Sequence, residues 1–86
     1  MSFTLAPHIT LTETDGGLVL LDERAGRYWQ MNDTGALVLR TLLDGGTTDT
    51  ALAALRERFP AVDPERAAAD VRKLVAALRA AKMVVT

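Results

Sequence analysis

Gly26-Arg27-Tyr28-Trp29-Gln30-Met31-Asn32-Asp33-Thr34-Gly35-Ala36 decides how this chain folds, because the hydrophobic period changes inside it. Arg27 to Met31 reads as a strand, with Tyr28 and Gln30 on one side and Trp29 and Met31 on the other. Asn32, Asp33 and Thr34 then offer side-chain oxygens suited to a helix N-cap. Ala36, Leu39 and Leu43, with Val38 and Leu42 beside them, form an apolar face at helical spacing that stops at Gly45-Gly46.

Upstream, Ile9-Thr10-Leu11-Thr12-Glu13 alternates apolar and polar residues and predicts a first strand with Ile9 and Leu11 on one face. Asp15-Gly16-Gly17 is a turn signal, since glycine reaches positive φ without steric cost. Leu18-Val19-Leu20-Leu21 is apolar throughout and suggests a central strand, either covered on both faces or with its second face under a helix or ligand. Asp22-Glu23-Arg24-Ala25-Gly26 turns the chain into the third strand, and a three-stranded antiparallel meander results.

Downstream, Thr47 or Thr48 caps a second helix with Ala51, Leu52, Leu55 and Phe59 on one side, ending at Pro60. Asp63-Pro64-Glu65 starts a third: Asp caps, Pro sits where its missing N–H does no harm, and Glu meets the positive end of the helix dipole. Ala67, Val71, Leu74, Val75 and Leu78 give that helix its apolar stripe, and Met83-Val84-Val85 is expected to fold back as a short extended tail. Three strands then three helices, joined by short connections, make an α+β domain of winged helix-turn-helix type, spanning residues 1–86.

A chain of 86 residues buries only about 60–65% of its unfolded surface, which leaves room for one core. The absence of cysteine excludes disulfides, thiolate metal sites and cysteine nucleophiles. Met1-Ser2-Phe3-Thr4-Leu5 has neither the basic start nor the apolar run of a signal peptide, and no stretch approaches the ~20 apolar residues that cross a bilayer, so a cytoplasmic location is expected. Ten Lys and Arg against eleven Asp and Glu give a net charge of −1, which offers phosphate backbones no long-range attraction.

Little in the chain suits catalysis. His8 has no second imidazole to complete a metal site and reads as a surface residue. Serine occurs only at position 2, and Asp33, Asp44, Asp49, Asp63 and Asp70 fall at caps, turns or exposed helical positions. The glycines lack a phosphate-binding spacing. No metal, cofactor or catalytic residue is expected, which leaves surface recognition. An outermost third strand presents unpaired N–H and C=O groups to which an extended peptide can add, or through which a second copy can pair. On the third helix, Arg66, Asp70, Lys73 and Ala77 form a stripe beside the apolar face, where the small Ala77 leaves room for a ligand side chain. Taken alone, Trp29 and Met31 also fit a core role with Tyr28 an ordinary exposed aromatic, and the helical stripe fits a solvated face.

Residues 26–36, then Leu42-Leu43-Asp44-Gly45-Gly46-Thr47, then Val62-Asp63-Pro64 leading into Asp70-Val71, resemble the PqqD family over residues 9–85. Met31 stands where the family usually has Leu, a volume-conserving change. The Gly-Arg-Tyr-Trp-Gln and Thr-Gly-Ala-Leu-Val-Leu wording is similar to the stand-alone leader-binding proteins of actinobacterial lasso peptide pathways. The resemblance implies a RiPP recognition element, a domain that holds the leader segment of a ribosomally made precursor peptide antiparallel to the third strand, in the groove beside the third helix. It implies contacts at Arg27, Tyr28, Trp29, Gln30 and Met31 on the strand and at Arg66, Asp70, Lys73, Leu74 and Ala77 on the helix. It also implies a leader with a Tyr-x-x-Pro-x-Leu type motif, a separate leader peptidase and an ATP-dependent cyclase as partners, and no enzymatic chemistry in this chain.

Two other readings remain open on the sequence. One is the same role in another pathway, such as a leader chaperone for a radical enzyme acting on a quinone-cofactor precursor. The other is a winged-helix DNA-binding domain that turns Arg66, Arg72, Lys73 and Arg79 towards phosphate, against which stand the net charge, Glu65 and Asp70 on that helix and the mostly acidic wing turn Asp22-Glu23-Arg24.

Overall fold

The computed structural model describes residues 3–85. Ser2 and Met1, which entered the readings above, lie outside the described residues. Five strands and three helices follow one another: β1 (Thr4–Leu5), β2 (Ile9–Thr14), β3 (Gly17–Asp22), β4 (Arg27–Met31), α1 (Asp33–Leu43), α2 (Thr48–Arg58), α3 (Pro64–Ala80) and β5 (Val84–Val85). The expected winged helix-turn-helix architecture is present, and the expected third strand is β4.

The meander pairs β2 with β3 and β3 with β4, both antiparallel, in the order β2-β3-β4. Leu11, Leu20 and Trp29 stand opposite one another across the three strands, and the pleat sends Ile9, Leu18, Leu20 and Met31 into the core. The helices pack on that face alone. Leu18, Leu20, Leu39, Leu78 and Met83 are fully buried at the centre. Among the described residues, the central strand is not covered on both faces: Leu21 is 40% exposed on the outer face beside the 68% exposed Tyr28. A single helical layer suffices for only one side of the sheet.

Local chemistry fixes the helix ends. The Asn32 Oδ1 accepts from the Gly35 N–H at 3.1 Å and from the Thr34 hydroxyl at 2.9 Å, so Asn32 is the cap among the three candidates. Thr47 and Thr50 cap α2 reciprocally, and Asp63 accepts from the Glu65 N–H at the start of α3, with Pro64 in the first turn. Past the Asp44 cap of α1, Gly45 takes φ 94° and the Gly46 N–H returns to the Thr41 carbonyl at 2.9 Å.

The C-terminal residues fold back in extended form as expected, and the structure adds the partner they find. Val84–Val85 is a strand paired antiparallel with Thr4–Leu5, a two-stranded ribbon separate from the meander. Lys82 turns the chain with φ 58°, the Met83 N–H closes on the Leu78 carbonyl at 3.0 Å, and the Ala6 N–H donates to the Met83 carbonyl at 2.9 Å. The apolar pairs Leu5 and Val84, half-buried and buried, supply the reason for this second closure.

Candidate functional site: a groove between a strand edge and a helix

β4 is the last strand of the meander, bonded on one side only. Two observations fix which of its backbone groups face outwards. The Met31 carbonyl points at Gly17, on β3, and the Asp22 carbonyl, at the far end of β3, points towards β4 and accepts from the Gly26 N–H at 2.9 Å. In an antiparallel pair, inward and outward groups alternate. Met31, Trp29 and Arg27 therefore turn their N–H and C=O towards β3, and Tyr28 and Gln30 turn theirs to the open edge. Each offers one donor and one acceptor there.

Packing leaves space beside that edge. α3 packs on α1, α2 and β5, while β4 packs on β3 and α1. Between the end of β4 and the first half of α3 lies an open groove of about 1170 Å³. Its floor is apolar, from Met31, Val38, Leu55, Ala67, Val71 and Leu74. Asp15, Asp63, Asp70 and Arg66 bring charge to its walls, and the β2–β3 turn closes one end.

Of the residues named from the sequence, Gln30, Met31, Arg66, Asp70 and Leu74 line this groove. The others lie outside it. Arg27 is exposed at the far end of β4, Tyr28 is exposed on the outer sheet face, and Trp29 is half-buried against the core opposite Leu20. Lys73 is exposed on α3, and Ala77 lies past Leu74 along that helix. Sequence reasoning placed Val38, Leu55, Ala67 and Val71 in the core and did not foresee that they also floor the groove. The contribution of Val62 and Asp63 comes from the α2–α3 connection, whose wording is part of the resemblance. Among the described residues, no cluster of His, Asp and Glu is placed to hold a metal ion. No helix among them is long and apolar enough to cross a membrane.

The fold and the groove define a winged helix-turn-helix domain with an open strand edge set against its C-terminal helix. The chain belongs to the PqqD family, as a PqqD-like RiPP recognition element: the family described as coenzyme PQQ synthesis protein D (PqqD) matches residues 17–84. Among solved structures, it is similar to a lasso peptide synthetase B1 complexed with the leader peptide, at 38% identity and a TM-score of 0.86 over 100% of both chains. It shares the fold of TbiB1 in complex with the TbiA(beta) leader peptide, at 20% identity and a TM-score of 0.80 over 94% of this chain and 93% of the other. Among curated proteins, none matches.

Proposed function

We propose that this protein captures the leader segment of a ribosomally made precursor peptide by strand addition to β4, in the groove against α3. It presents the precursor to a separate leader peptidase and cyclase in lasso peptide maturation, as a cytoplasmic adaptor without catalytic chemistry of its own. The observation that carries this reading is the unpaired edge at Tyr28 and Gln30 beside an apolar-floored groove. The likeness to a lasso peptide synthetase B1 complexed with the leader peptide supports it.

The energetics fit an adaptor. Main-chain bonds worth a net ~0.5–1.5 kcal/mol each set the register of the guest. Two or three leader side chains buried over Met31, Val71 and Leu74 add ~1.5–3 kcal/mol each. After the cost of ordering the peptide, dissociation constants in the micromolar to nanomolar range follow.

The family's description favours one second reading, the same capture of a leader in a quinone-cofactor pathway. A fluorescence polarisation titration decides among these roles, using leader peptides of a lasso precursor and of a quinone-cofactor precursor, with duplex DNA alongside. Tight binding of the lasso leader is expected. Salt-sensitive DNA binding without peptide binding sinks the proposal.

A further inference from the structure

A second cleft lies at the other end of the molecule. It is lined by Ala6, Pro7 and His8 ahead of β2, by Arg24 in the β3–β4 turn, by Arg79 and Lys82 at the end of α3, and by Val84 and Val85 of β5. It is a shallow depression of about 760 Å³, open to solvent, and shares no lining residue with the groove. In the sheet, it sits by the turn that joins Asp22 to Arg27, whereas the groove sits by the opposite turn, at Asp15 and Gly16.

Its charge sets it apart from the rest of a chain whose net charge is −1. Arg24, Arg79 and Lys82 line it, and no carboxylate does. The only side-chain ion pair among the described residues joins Arg40 to Glu13, so none of these three cations has an ion-pair partner among them. Of the two carboxylates in the turn, that of Asp22 is buried and already accepts the backbone N–H groups of Arg24 and Ala25. Glu23 neighbours the cleft through its N–H bond to the His8 carbonyl but does not line it.

The floor is apolar, from Ala6, Pro7, Val84 and Val85, and Val85 is 53% exposed. It is also firmly built, because the closure through Lys82 and the buried Met83 fixes the direction in which Arg79 and Lys82 leave α3. Cations around an apolar floor complement a guest that carries carboxylates between apolar side chains. A bare polyanion would leave that floor unused.

We propose that this cleft is a second docking surface, which takes an acidic, partly apolar segment of a partner protein. Since it lies apart from the groove, both sites fill together, and a bound precursor stays on β4 while the partner is held at the other end. The joint occupancy rests on the proposed function, whereas binding at this cleft does not depend on what fills the groove.

The test is an amide-resolved NMR titration of the whole protein with a short synthetic peptide alternating Glu with Leu and Val. Parallel arms use the same peptide with Lys for Glu, duplex DNA, and phosphatidylserine vesicles. Amide shifts at His8, Arg24, Lys82 and Val85 with the acidic peptide alone are expected, weakening as salt is raised. Arg24→Glu combined with Arg79→Gln is expected to lower that affinity about tenfold while the melting temperature stays near the parent's. Shifts at Gln30 and Leu74 instead, equal binding of the Lys peptide, preference for DNA or vesicles, or parental affinity in the double variant would each overturn it.

Discussion

The Met31 carbonyl lies against Gly17 so closely that a β-carbon at position 17 would run into it. This contact sets the β3–β4 register from one end, and with it the identity of the backbone groups on the open edge. Gly17 also holds φ at 150°, outside the range that side-chain-bearing residues favour. Gly17→Ala is therefore expected to cost about 1–3 kcal/mol or more, through strain and the displaced carbonyl. Urea denaturation reads the loss, and an unchanged midpoint contradicts the register.

Proline substitutions separate the two sides of β4. The Tyr28 N–H faces the open edge, so Tyr28→Pro removes a donor that the folded monomer does not use, whereas Trp29→Pro removes a bond to β3. Tyr28→Pro is expected to retain a cooperative fold and lose leader binding by at least about tenfold, the worth of one or two main-chain bonds. Trp29→Pro is expected to lose the fold, by about 3 kcal/mol or more. Circular dichroism melts paired with polarisation titrations distinguish them, and equal stability in both would place the alternation one residue out.

Within the groove, Leu74 and Asp70 are expected to act differently on a bound leader. Leu74 is a half-buried part of the floor, and Leu74→Ala is expected to weaken leader binding about tenfold through lost apolar contact, with a stability loss of about 1 kcal/mol. Asp70 is exposed on the wall, so Asp70→Ala is expected to weaken binding a few-fold, more at low salt than at high, and leave the melting temperature unchanged. Parental affinity in both variants would mean that the leader sits elsewhere.

Most of the fold was legible because local signals agree with one another. The Asp15-Gly16-Gly17 turn, the change of period at Asn32 and the Asp63-Pro64 start each place an element boundary, and the structure puts boundaries there. The extended fold-back of Met83-Val84-Val85 was legible but its pairing with Thr4–Leu5 was not, since two residues at each end show no periodicity and pair only because the packed core brings them together. The groove was legible in part. Charged positions such as Arg66 and Asp70 stand out along a helix, but Val38, Leu55 and Val71 look identical in sequence whether they are wholly enclosed or floor an open cavity. Which of Tyr28 and Trp29 faces the core was likewise undecided until the pleat fixed Trp29 opposite Leu20. His8, read as a plain surface residue, is half-buried in the second cleft, a placement that depends on β5.

Asp22 makes stability depend on pH at the acid end. Its carboxyl is held below the ordinary aspartate range, first by the backbone N–H of Ala25, against an opposing effect of burial, with further help from the Arg24 N–H and the charges of His8 and Arg27. A group whose value is depressed in the folded state favours folding above its unfolded value, about 3.9, and loses that contribution as pH falls through the lower folded value. The protein is thus expected to hold the Asp22 contribution above about pH 4 and to shed it below. Asp22→Asn, which keeps an acceptor for the turn, is expected to flatten that part of the profile in urea melts taken down to acid pH. An identical slope in the variant would assign the acid loss to other carboxylates.

Lys82 carries a conformational cost that glycine would avoid. It ends α3 in the left-handed region, with φ 58°, where the β-carbon of an L residue crowds the backbone. The position is over-determined by its neighbours, because the Lys82 N–H returns to the Arg79 carbonyl and Met83 is fully buried, so the strain persists in the fold. Lys82→Gly is expected to raise stability by up to about 1 kcal/mol, a gain reduced by the greater freedom of glycine in the unfolded chain. For a domain of this size, that shifts the melting temperature upwards by up to about 4–8 °C. Lys82→Ala supplies the control, since it removes the charge and the long side chain but keeps the β-carbon. If alanine stabilises as much as glycine, repulsion among Arg24, Arg79 and Lys82, and not backbone strain, is what the substitution relieves.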